Sequence, residues 1–345
     1  MASLGKRRCA EVLRRFQSDG AAATLPLLQG WADKGFDVAG QPFVLLDVAL
    51  SFGGDAQGID ALAGLCPGGQ PQLLHAICSG LRLHDTAALD AIIADPRAHP
   101  QTRFEAMGWQ IFLRNHADWP AGAASLGPVM QYWDSTAPPP EITKAMAIWQ
   151  DQGTAYKSFD KDHARRFIAR TQGEDVARIF DSLWHPALQS DVFRLCFLQN
   201  RGGFYADADA LPGGGTPGFL SGAGDGALWA ASMTNRPNCV VTNSPLAAQA
   251  GNPVLAAFLQ DVLGRLKDAQ IRNIFWLSGP GALTYFLWRT KAQIRVLPAA
   301  LTKARLFRQF DAPYKQTELN WRVHEHRAGL SDDDILPTLM NANPG

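Results

Sequence analysis

The chain has 345 residues, of which 46% are hydrophobic and 19% charged, and its 32 basic residues balance its 32 acidic ones. This length and composition predict a sizeable buried core, in one large domain or two modest ones. Without a net charge the chain lacks a strong field for polyanions, so we expect no nucleic-acid partner and no anionic membrane.

The amino-terminal residues begin with basic side chains, but no apolar run follows them. We therefore expect neither a signal peptide nor a membrane anchor there, and no transmembrane segment elsewhere. The cysteines are odd in number and lack metal-ligand spacing, which favours reduced thiols and a cytoplasmic location. They are Cys9, Cys66, Cys78, Cys196 and Cys239.

Residues 1–120 are rich in alanine and leucine and contain short amphipathic segments, including Thr86 to Ile93 and Gln101 to Arg114. Prolines and glycines interrupt these segments, a pattern that indicates stacked helices. The histidines in this region are scattered singly, so no catalytic or metal site is expected. We interpret residues 1–120 as a helical accessory region, available to a protein partner.

After this region the pattern alternates between strands and helices. A strand ends in Gln131-Tyr132-Trp133, a helix follows from Glu141 to Gln150, and a second strand and a helix from Lys161 to Thr171 come next. This alternation predicts a parallel sheet, in which ligands bind beyond the carboxyl ends of the strands. Trp133 falls at such an end, where an indole either stacks on a nucleobase or anchors the core; spacing alone does not decide.

The segment 190–211 combines a buried pattern with charged side chains. A helix over residues 187–200 has almost no polar face, yet Asp191 and Arg194 share one side of it. Gly202 and Gly203 predict the helix stop, and a short buried strand then runs into Asp207-Ala208-Asp209. Since side chains alternate along a strand, we expect both carboxylates to point the same way.

Two neighbouring carboxylates at the end of a buried strand repel each other unless a cation lies between them. Oxygen ligands favour Mg²⁺ or Mn²⁺, with a diphosphate completing the coordination. The structural alternative is an aspartate-rich turn that caps the strand, and a bare Asp-x-Asp does not distinguish the two.

The wider pattern resembles the sugar-nucleotide-dependent glycosyltransferases with a DxD motif. That group, of the family 32-like sugar-transferase type, contains the yeast initiating alpha-mannosyltransferase, capsular polysaccharide transferases and, more distantly, the large clostridial glucosylating toxins. The matching positions are Ser190, Asp191, Arg194, Leu198, Gly202, Gly203, Tyr205, Asp207 and Asp209. Leu195-Cys196 departs from the pattern, where an aromatic residue is common.

The resemblance implies an α/β protein of GT-A type, with a mostly parallel nucleotide-binding sheet flanked by helices over residues 121–330. It implies transfer of a sugar from a nucleotide-sugar to a saccharide, lipid-linked or protein acceptor, as in polysaccharide biosynthesis, with retention at the anomeric carbon. The implied catalytic residues are Asp191, Arg194, Asp207 and Asp209. The implied donor-binding residues are Gln131, Trp133, Ser190, Tyr205, Asp207 and Gly279.

The remaining segments are less regular. Leu211 to Gly226 is glycine-rich and predicts a mobile surface loop, Ala227 to Ser232 predicts a strand, and Cys239 to Ser244 leads into a helix that Asn243 or Ser244 would cap. The Gly279-Pro280 turn would offer free backbone N–H groups to a ligand.

His324 and His326 alternate as in a strand, and His326 is our candidate third metal ligand beside Asp207 and Asp209. Residues 331–345 predict a loose carboxy-terminal tail.

Two other functions stay open at this point. A metal-dependent hydrolase of sugar nucleotides would use the same carboxylates with a positioned water. A non-catalytic helical adaptor would retain a degenerate transferase domain, although the intact set Asp191, Arg194, Asp207 and Asp209 argues against it.

Overall fold

The computed structural model describes residues 2–3, 8, 11, 15, 23–37, 76–77, 86–122, 124–233, 239–268 and 272–327, without the side chains of residues 2, 3, 36, 37, 268, 300 and 327. The chain divides into two compact units. Unit 1 comprises Met1–Leu113 and Met233–Cys239, and unit 2 comprises Arg114–Ser232 and Val240–Gly345. The expected domain boundary at residue 120 stays a prediction, and the tail 331–345 lies outside the described residues.

The described part of Met1–Leu113 is mostly helical and contains one short parallel pair, β1 (Ala2–Ser3) with β2 (Phe36–Asp37). Helix α1 (Ala87–Ala94) and helix α2 (Pro100–Asn115) coincide with the two amphipathic segments of the sequence. Helix α2 runs on into unit 2, and within unit 1 it buries Phe104, Met107 and Trp109.

Unit 2 is built on a mixed six-stranded sheet. The strands are β3 (Val129–Tyr132), β4 (Tyr156–Phe159), β5 (Gly203–Tyr205), β7 (Trp229–Met233), β8 (Val240–Ala248) and β9 (Arg295–Leu297). Their order across the sheet is β4-β3-β5-β8-β7-β9. Strand β3 pairs in parallel with β4 and β5, β7 pairs in parallel with β9, and β5 pairs antiparallel with β8. The predicted α/β class, with a mostly parallel sheet flanked by helices, is confirmed.

A second, two-stranded sheet pairs β6 (Ala210–Pro212) antiparallel with β10 (Phe307–Gln309). The helices that follow α2 are α3 (Pro140–Gln150), α4 (Lys161–Gln172), α5 (Glu174–Asp181), α6 (Pro186–Arg201), α7 (Thr216–Gly222), α8 (Pro253–Asp268), α9 (Ile274–Leu277), α10 (Pro280–Thr290), α11 (Ala299–Leu301) and α12 (Trp321–Arg327). A π-helical turn at Thr302–Leu306 and a 3₁₀ turn at Pro313–Gln316 complete the described elements.

Helix α6 is buried along most of its length, as its pattern predicted. Pro186 is the first helical residue, and the His185 side chain accepts a hydrogen bond from the Ala187 N–H, which caps the helix start. From Leu188 to Leu198 every side chain is buried, the charged Asp191 and Arg194 included. Charged groups are almost never buried unless they are paired, so this helix carries a polar cluster that the fold must satisfy.

Two glycines turn the chain from α6 into β5. Gly202 has φ of +64° and Gly203 has φ of +117°, a region that glycine adopts without strain. A Cβ atom on Gly203 would lie 2.2 Å from the Pro128 carbonyl oxygen. The predicted helix stop is therefore confirmed, and the close approach of β5 to the residue before β3 depends on glycine.

Aromatic packing fixes the strands around β5. Trp149 and Phe204 are fully buried with ring centroids 5.7 Å apart, and the Trp149 indole N–H donates to the Ala210 carbonyl at 2.7 Å. This bond holds the chain immediately after the Asp-x-Asp motif. Packing and backbone hydrogen bonding thus both restrict where that motif can lie.

Three local predictions are wrong. Leu211 to Gly226 is not a loop but contains most of β6 and all of α7. Asn243 and Ser244 do not cap a helix, because they lie inside the nine-residue strand β8. His324 and His326 belong to helix α12, so they do not alternate as in a strand.

None of the described helices combines the length and the apolarity that a membrane crossing requires. Cys196 and Cys239 are buried free thiols. The other three cysteines lie outside the described residues.

Candidate functional site

The Asp-x-Asp motif forms a turn rather than a continuation of β5. The strand ends at Tyr205, and the Ala210 N–H donates to the Asp207 carbonyl at 3.0 Å. The expectation that both carboxylates follow strand alternation is therefore wrong. The chain then continues into β6, which pairs with β10 and not with the six-stranded sheet.

The backbone of Asp207 is held from two sides. The Gln131 amide nitrogen donates to the Asp207 carbonyl at 2.9 Å, and the Ser244 hydroxyl oxygen accepts from the Asp207 N–H at 3.1 Å. The Gln131 amide oxygen accepts from the Tyr156 hydroxyl at 2.9 Å. Gln131 is fully buried with both ends of its amide bound to protein, so in this structure it positions Asp207.

A chain of hydrogen bonds links helix α6 to the Asp207 carboxylate. Arg194 Nη2 donates to Ser190 Oγ at 3.2 Å, and Ser190 Oγ lies 2.7 Å from the Tyr205 hydroxyl. That hydroxyl donates to Asp207 Oδ1 at 2.8 Å. Since each hydroxyl has one proton, the serine donates to the tyrosine and the tyrosine to the carboxylate.

The Arg194 guanidinium is the central cation of the buried cluster. Its Nη2 lies 2.8 Å from Asp191 Oδ1 and 3.5 Å from Asp207 Oδ1. Its Nη1 donates to the Asn243 carbonyl at 2.7 Å, and its carbon Cζ lies 4.1 Å from the centre of the Tyr205 ring. One guanidinium therefore compensates two carboxylates and stacks on an aromatic ring.

Asp191 is buried and engaged by protein groups on both oxygens. Asn243 Nδ2 donates to Oδ1 at 2.8 Å, and the Ser278 hydroxyl donates to Oδ2 at 2.7 Å. Burial raises the pKa of Asp191, while the Arg194 charge and the two donors oppose that rise. These contacts make Asp191 a partner of Arg194, and they explain how a carboxylate is tolerated in the helix interior.

Asp209 lies on the other side of the turn, with its own partners. Tyr314 donates to Asp209 Oδ2 at 3.0 Å, and Lys315 Nζ lies 2.7 Å from the same oxygen. Burial is the largest cause that raises the pKa of Asp209, and the negative charge of Asp207 is the second. The Asp209 side chain is 5% exposed, whereas that of Asp207 is 32% exposed and accepts from Gln309 at 3.2 Å.

Trp133 lies beside this turn in a small apolar cluster. Its ring meets Tyr314 edge to face, with centroids 5.3 Å apart, and it packs with Ile142, Ala208 and Ala312. The indole is partly exposed. The sequence left open whether Trp133 stacks on a base or anchors the core. In the structure Trp133 makes a core contact and also keeps an accessible face.

At the Gly279 turn the N–H of Gly279 itself is bonded within the protein, and the wider expectation of free N–H groups at the start of α10 stays a prediction. The Gly279 N–H donates to the Ile274 carbonyl at 2.9 Å, and Pro280 has no N–H. The neighbouring Ser278 supplies a side-chain hydroxyl to Asp191 instead.

The two carboxylates fit a divalent cation of the Mg²⁺ or Mn²⁺ class. Their oxygens are the ligands that these ions prefer, and Asp209 already attracts a positive charge, the Lys315 ammonium. Within the described part of the chain, no three His, Cys, Asp or Glu side chains gather as a ligand set. His326 is exposed on α12 and is not gathered with them, so Asp207 and Asp209 would supply the protein ligands.

Sequence reasoning missed Tyr314, Lys315 and Gln309, which approach the motif from the carboxy-terminal segment. No local pattern marks them, because their role depends on the pairing of β10 with β6. Asn243 was named in the sequence analysis as a helix cap, but its bond to Asp191, which Ser278 shares, becomes visible only in the structure.

Comparison with known proteins identifies the segment that carries this site. Residues 130–214 match the family model described as a glycosyltransferase sugar-binding region containing a DXD motif. Among solved structures, the PaToxG glycosyltransferase is similar at a TM-score of 0.34 and 12% identity, over 60% of this chain and 80% of that one. No curated protein sequence matches the chain. The resemblance to DXD-type glycosyltransferases is thus confirmed for residues 130–214.

Proposed function

We propose that the chain is a metal-dependent glycosyltransferase that binds a nucleotide-sugar at the Asp207–Asp209 turn and moves the sugar to a hydroxyl acceptor with retention. The observation that supports this best is the set of bonds that fixes Asp207 and leaves its carboxylate the more exposed of the pair. A fixed carboxylate of this kind can hold a cation beside a leaving diphosphate. Departure of the diphosphate depends on such preorganised charge and not on a reactive nucleophile. The acceptor classes are a saccharide, a lipid-linked sugar or a protein.

Asp207 and Asp209 would hold Mn²⁺ or Mg²⁺ together with the donor diphosphate. When bound, the ion supplies Lewis-acid stabilisation to the leaving diphosphate. The protein's own part is to hold the Asp207 carboxylate in place beside a fixed positive charge. Arg194 supplies that charge, because its guanidinium contacts Asp207 and Asp191 while its bond to the Asn243 carbonyl fixes it in place.

Asp191, Ser190, Tyr205 and Gln131 act in this proposal as positioning residues around Asp207. Their side chains are buried. Asp191 and Ser190 contact Arg194, and Tyr205 and Gln131 donate hydrogen bonds to Asp207. Trp133, at the end of β3, would stack on the nucleobase with its exposed face. Aromatic stacking on a base contributes about 1–3 kcal/mol in nucleic-acid complexes, enough to favour nucleotide over free sugar phosphate.

The direct test is a screen of sugar nucleotides in Mn²⁺ by thermal shift, followed by release of nucleoside diphosphate with and without candidate acceptors. Release that increases with an acceptor, with the sugar recovered on that acceptor, supports a transferase. Release at the same rate without acceptor indicates a sugar-nucleotide hydrolase. Binding with no release from any donor would indicate a non-catalytic binding protein.

A further inference from the structure

Lys315 has no role in the proposed reaction, yet its ammonium group lies at the motif. Lys315 Nζ is 2.7 Å from Asp209 Oδ2 and also donates to the Phe310 carbonyl. The Lys315 side chain is 23% exposed, so this ion pair is largely withdrawn from solvent. Partly buried charges are poorly screened, which makes the pair stronger than an ordinary surface salt bridge.

The ammonium and a metal ion compete for the same oxygen. A Mg²⁺-sized ion binds carboxylate oxygen at about 2.1 Å. An ammonium held 2.7 Å from that oxygen would then lie within a few ångströms of the ion, and the two positive charges repel strongly in a partly buried site. A divalent ion that takes Asp209 Oδ2 therefore requires Lys315 to leave.

Lys315 belongs to a segment that covers the site, defined as residues 309–316 and called the covering segment. Gln309 contacts the Asp207 carboxylate, the Phe310 N–H donates to the Asp209 carbonyl, and Tyr314 contacts both Asp209 and the Trp133 ring. Tyr314 and Lys315 lie in one 3₁₀ turn, Pro313–Gln316, so a backbone movement of this turn displaces both. Release of Lys315 by such a movement would also withdraw Tyr314 from Trp133.

We propose that Lys315 takes the place of the divalent cation in the ligand-free protein, and that metal entry and exposure of Trp133 are one coupled event. This inference rests on the proposed function, because it assigns the covering segment to the same donor site. Metal and nucleotide would then each favour the displaced arrangement, and each would raise the affinity of the other. The released ammonium would be free to pair with the diphosphate.

If metal binds only when the covering segment is open, the apparent affinity equals the intrinsic affinity multiplied by the fraction of molecules in the open state. Lys315→Met in the full chain removes the competing charge while keeping a long apolar stem. Titration calorimetry with Mn²⁺ alone should give a dissociation constant about tenfold lower for Lys315→Met than for the native chain. Lys144→Met, at an exposed position of α3, is the matched control and should leave the constant unchanged.

A second readout follows Trp133. The difference in acrylamide quenching of fluorescence between the native chain and Trp133→Phe reports the accessibility of the Trp133 indole. We expect this accessibility to rise when Mn²⁺ is added. In Lys315→Met it should be high from the start. Should Lys315→Met fail to fold, Tyr314→Phe removes the other bond to Asp209 Oδ2 and should tighten Mn²⁺ binding by about two- to threefold.

Equal or weaker Mn²⁺ affinity in Lys315→Met and Tyr314→Phe would overturn the inference. If nucleoside diphosphate release persists in that case, the proposed transferase stands without it. Absence of Mn²⁺ binding in every variant, together with absence of donor turnover, would overturn both. A Lys315→Met protein that loses inorganic diphosphate but binds Mn²⁺ as the native chain does would make Lys315 a diphosphate ligand only, and the unchanged Mn²⁺ affinity would contradict the inference.

Discussion

The Tyr205 hydroxyl donates a hydrogen bond of 2.8 Å to Asp207 Oδ1, so the last residue of β5 holds the first carboxylate of the DXD motif two positions later. The same ring lies under the Arg194 guanidinium. A side chain that is 1% exposed therefore connects the buried cation to the most exposed acid of the site. Because the hydroxyl contacts Asp207 and the ring contacts Arg194, a mutation that removes only the hydroxyl tests the first contact and keeps the second.

Tyr205→Phe keeps the ring over Arg194 and removes only the hydroxyl. We expect a loss of about 1 kcal/mol of unfolding free energy, the net value of a typical hydrogen bond. We expect donor turnover to fall about tenfold, because Asp207 loses one of the groups that orient it. Urea unfolding beside an initial rate measures both. Tyr156→Phe, which deletes the hydroxyl bound to Gln131, should cost similar stability with a smaller loss of rate; the opposite order would remove the special role of Tyr205.

The buried pair Asp191–Arg194 gives a second test. Arg194→Met leaves Asp191 as an uncompensated buried carboxylate, which should cost about 3–5 kcal/mol. Asp191→Asn combined with Arg194→Met removes both charges and should recover part of that loss. A double-mutant cycle by urea denaturation measures the coupling. Additive effects of the two changes would show that the ion pair contributes nothing to the fold.

Much of this cluster follows from sequence periodicity. An apolar run interrupted by Asp191 and Arg194 at spacing i, i+3 predicts a buried helix with a paired charge, and α6 extends the predicted range by one residue at each end. The Gly202-Gly203 stop was likewise readable, since its conformations suit glycine. Local chemistry dictated these features, so no distant partner had to be known.

The wrong predictions concern residues whose structure depends on contacts with distant parts of the sequence. Asn243 was interpreted as a helix cap because asparagine often caps helices, yet it lies in a strand where Asp191 satisfies its amide. Residues 211–226 were interpreted as a loop because of their glycines, whereas pairing with β10 orders β6. Lys315 carries no local signal for contact with Asp209. In each case a residue distant in sequence determines the outcome.

Glycine at position 203 is predicted to be indispensable. Gly203→Ala would place a Cβ 2.2 Å from the Pro128 carbonyl at φ of +117°. We expect a loss of about 2–4 kcal/mol or failure to fold, since both strain and overlap oppose it. Gly218→Ala, in α7 with open space around the new methyl group, should be neutral or gain up to about 1 kcal/mol. Similar melting of the two variants would refute this argument.

Unit 1 contains a carboxyl group that should make stability depend on pH. Burial raises the pKa of Glu105 from 4.5 to about 7, against a hydrogen bond from Gln101 that lowers it. The folded state therefore binds this proton more tightly, so the contribution of Glu105 to stability is largest below about pH 4.5 and is lost as the pH rises through about 7. Glu105→Gln should gain up to roughly 3 kcal/mol at pH 8 and flatten this part of the curve. Urea midpoints of native and variant that stay parallel from pH 4.5 to 8 would contradict it.

Trp133 is expected to contact the nucleobase. Trp133→Ala should weaken nucleoside diphosphate binding by about 1–3 kcal/mol, by analogy with base stacking in nucleic-acid complexes. Trp184, which is 49% exposed, provides the matched control, and Trp184→Ala should bind as the native chain does. Calorimetry with a nucleoside diphosphate and Mn²⁺ measures both. Equal affinity in the two variants would assign Trp133 to the core alone.

The central claim is that the Asp207–Asp209 turn is a catalytic site and not a structural cap, and a comparison of Asp207→Asn with Leu198→Ala tests it most directly. Asp207→Asn keeps the shape of a partly exposed side chain, so its metal-free melting should stay near native while turnover falls by roughly two orders of magnitude. Leu198→Ala opens a cavity in a fully buried position of α6 and should lose about 2–5 kcal/mol of stability while keeping much of its activity at low temperature. The measurement is a metal-free melting curve and an initial rate of sugar transfer for each protein. An Asp207→Asn protein that melts as early as Leu198→Ala, yet transfers sugar at the native rate while folded, would show that the turn is only a cap.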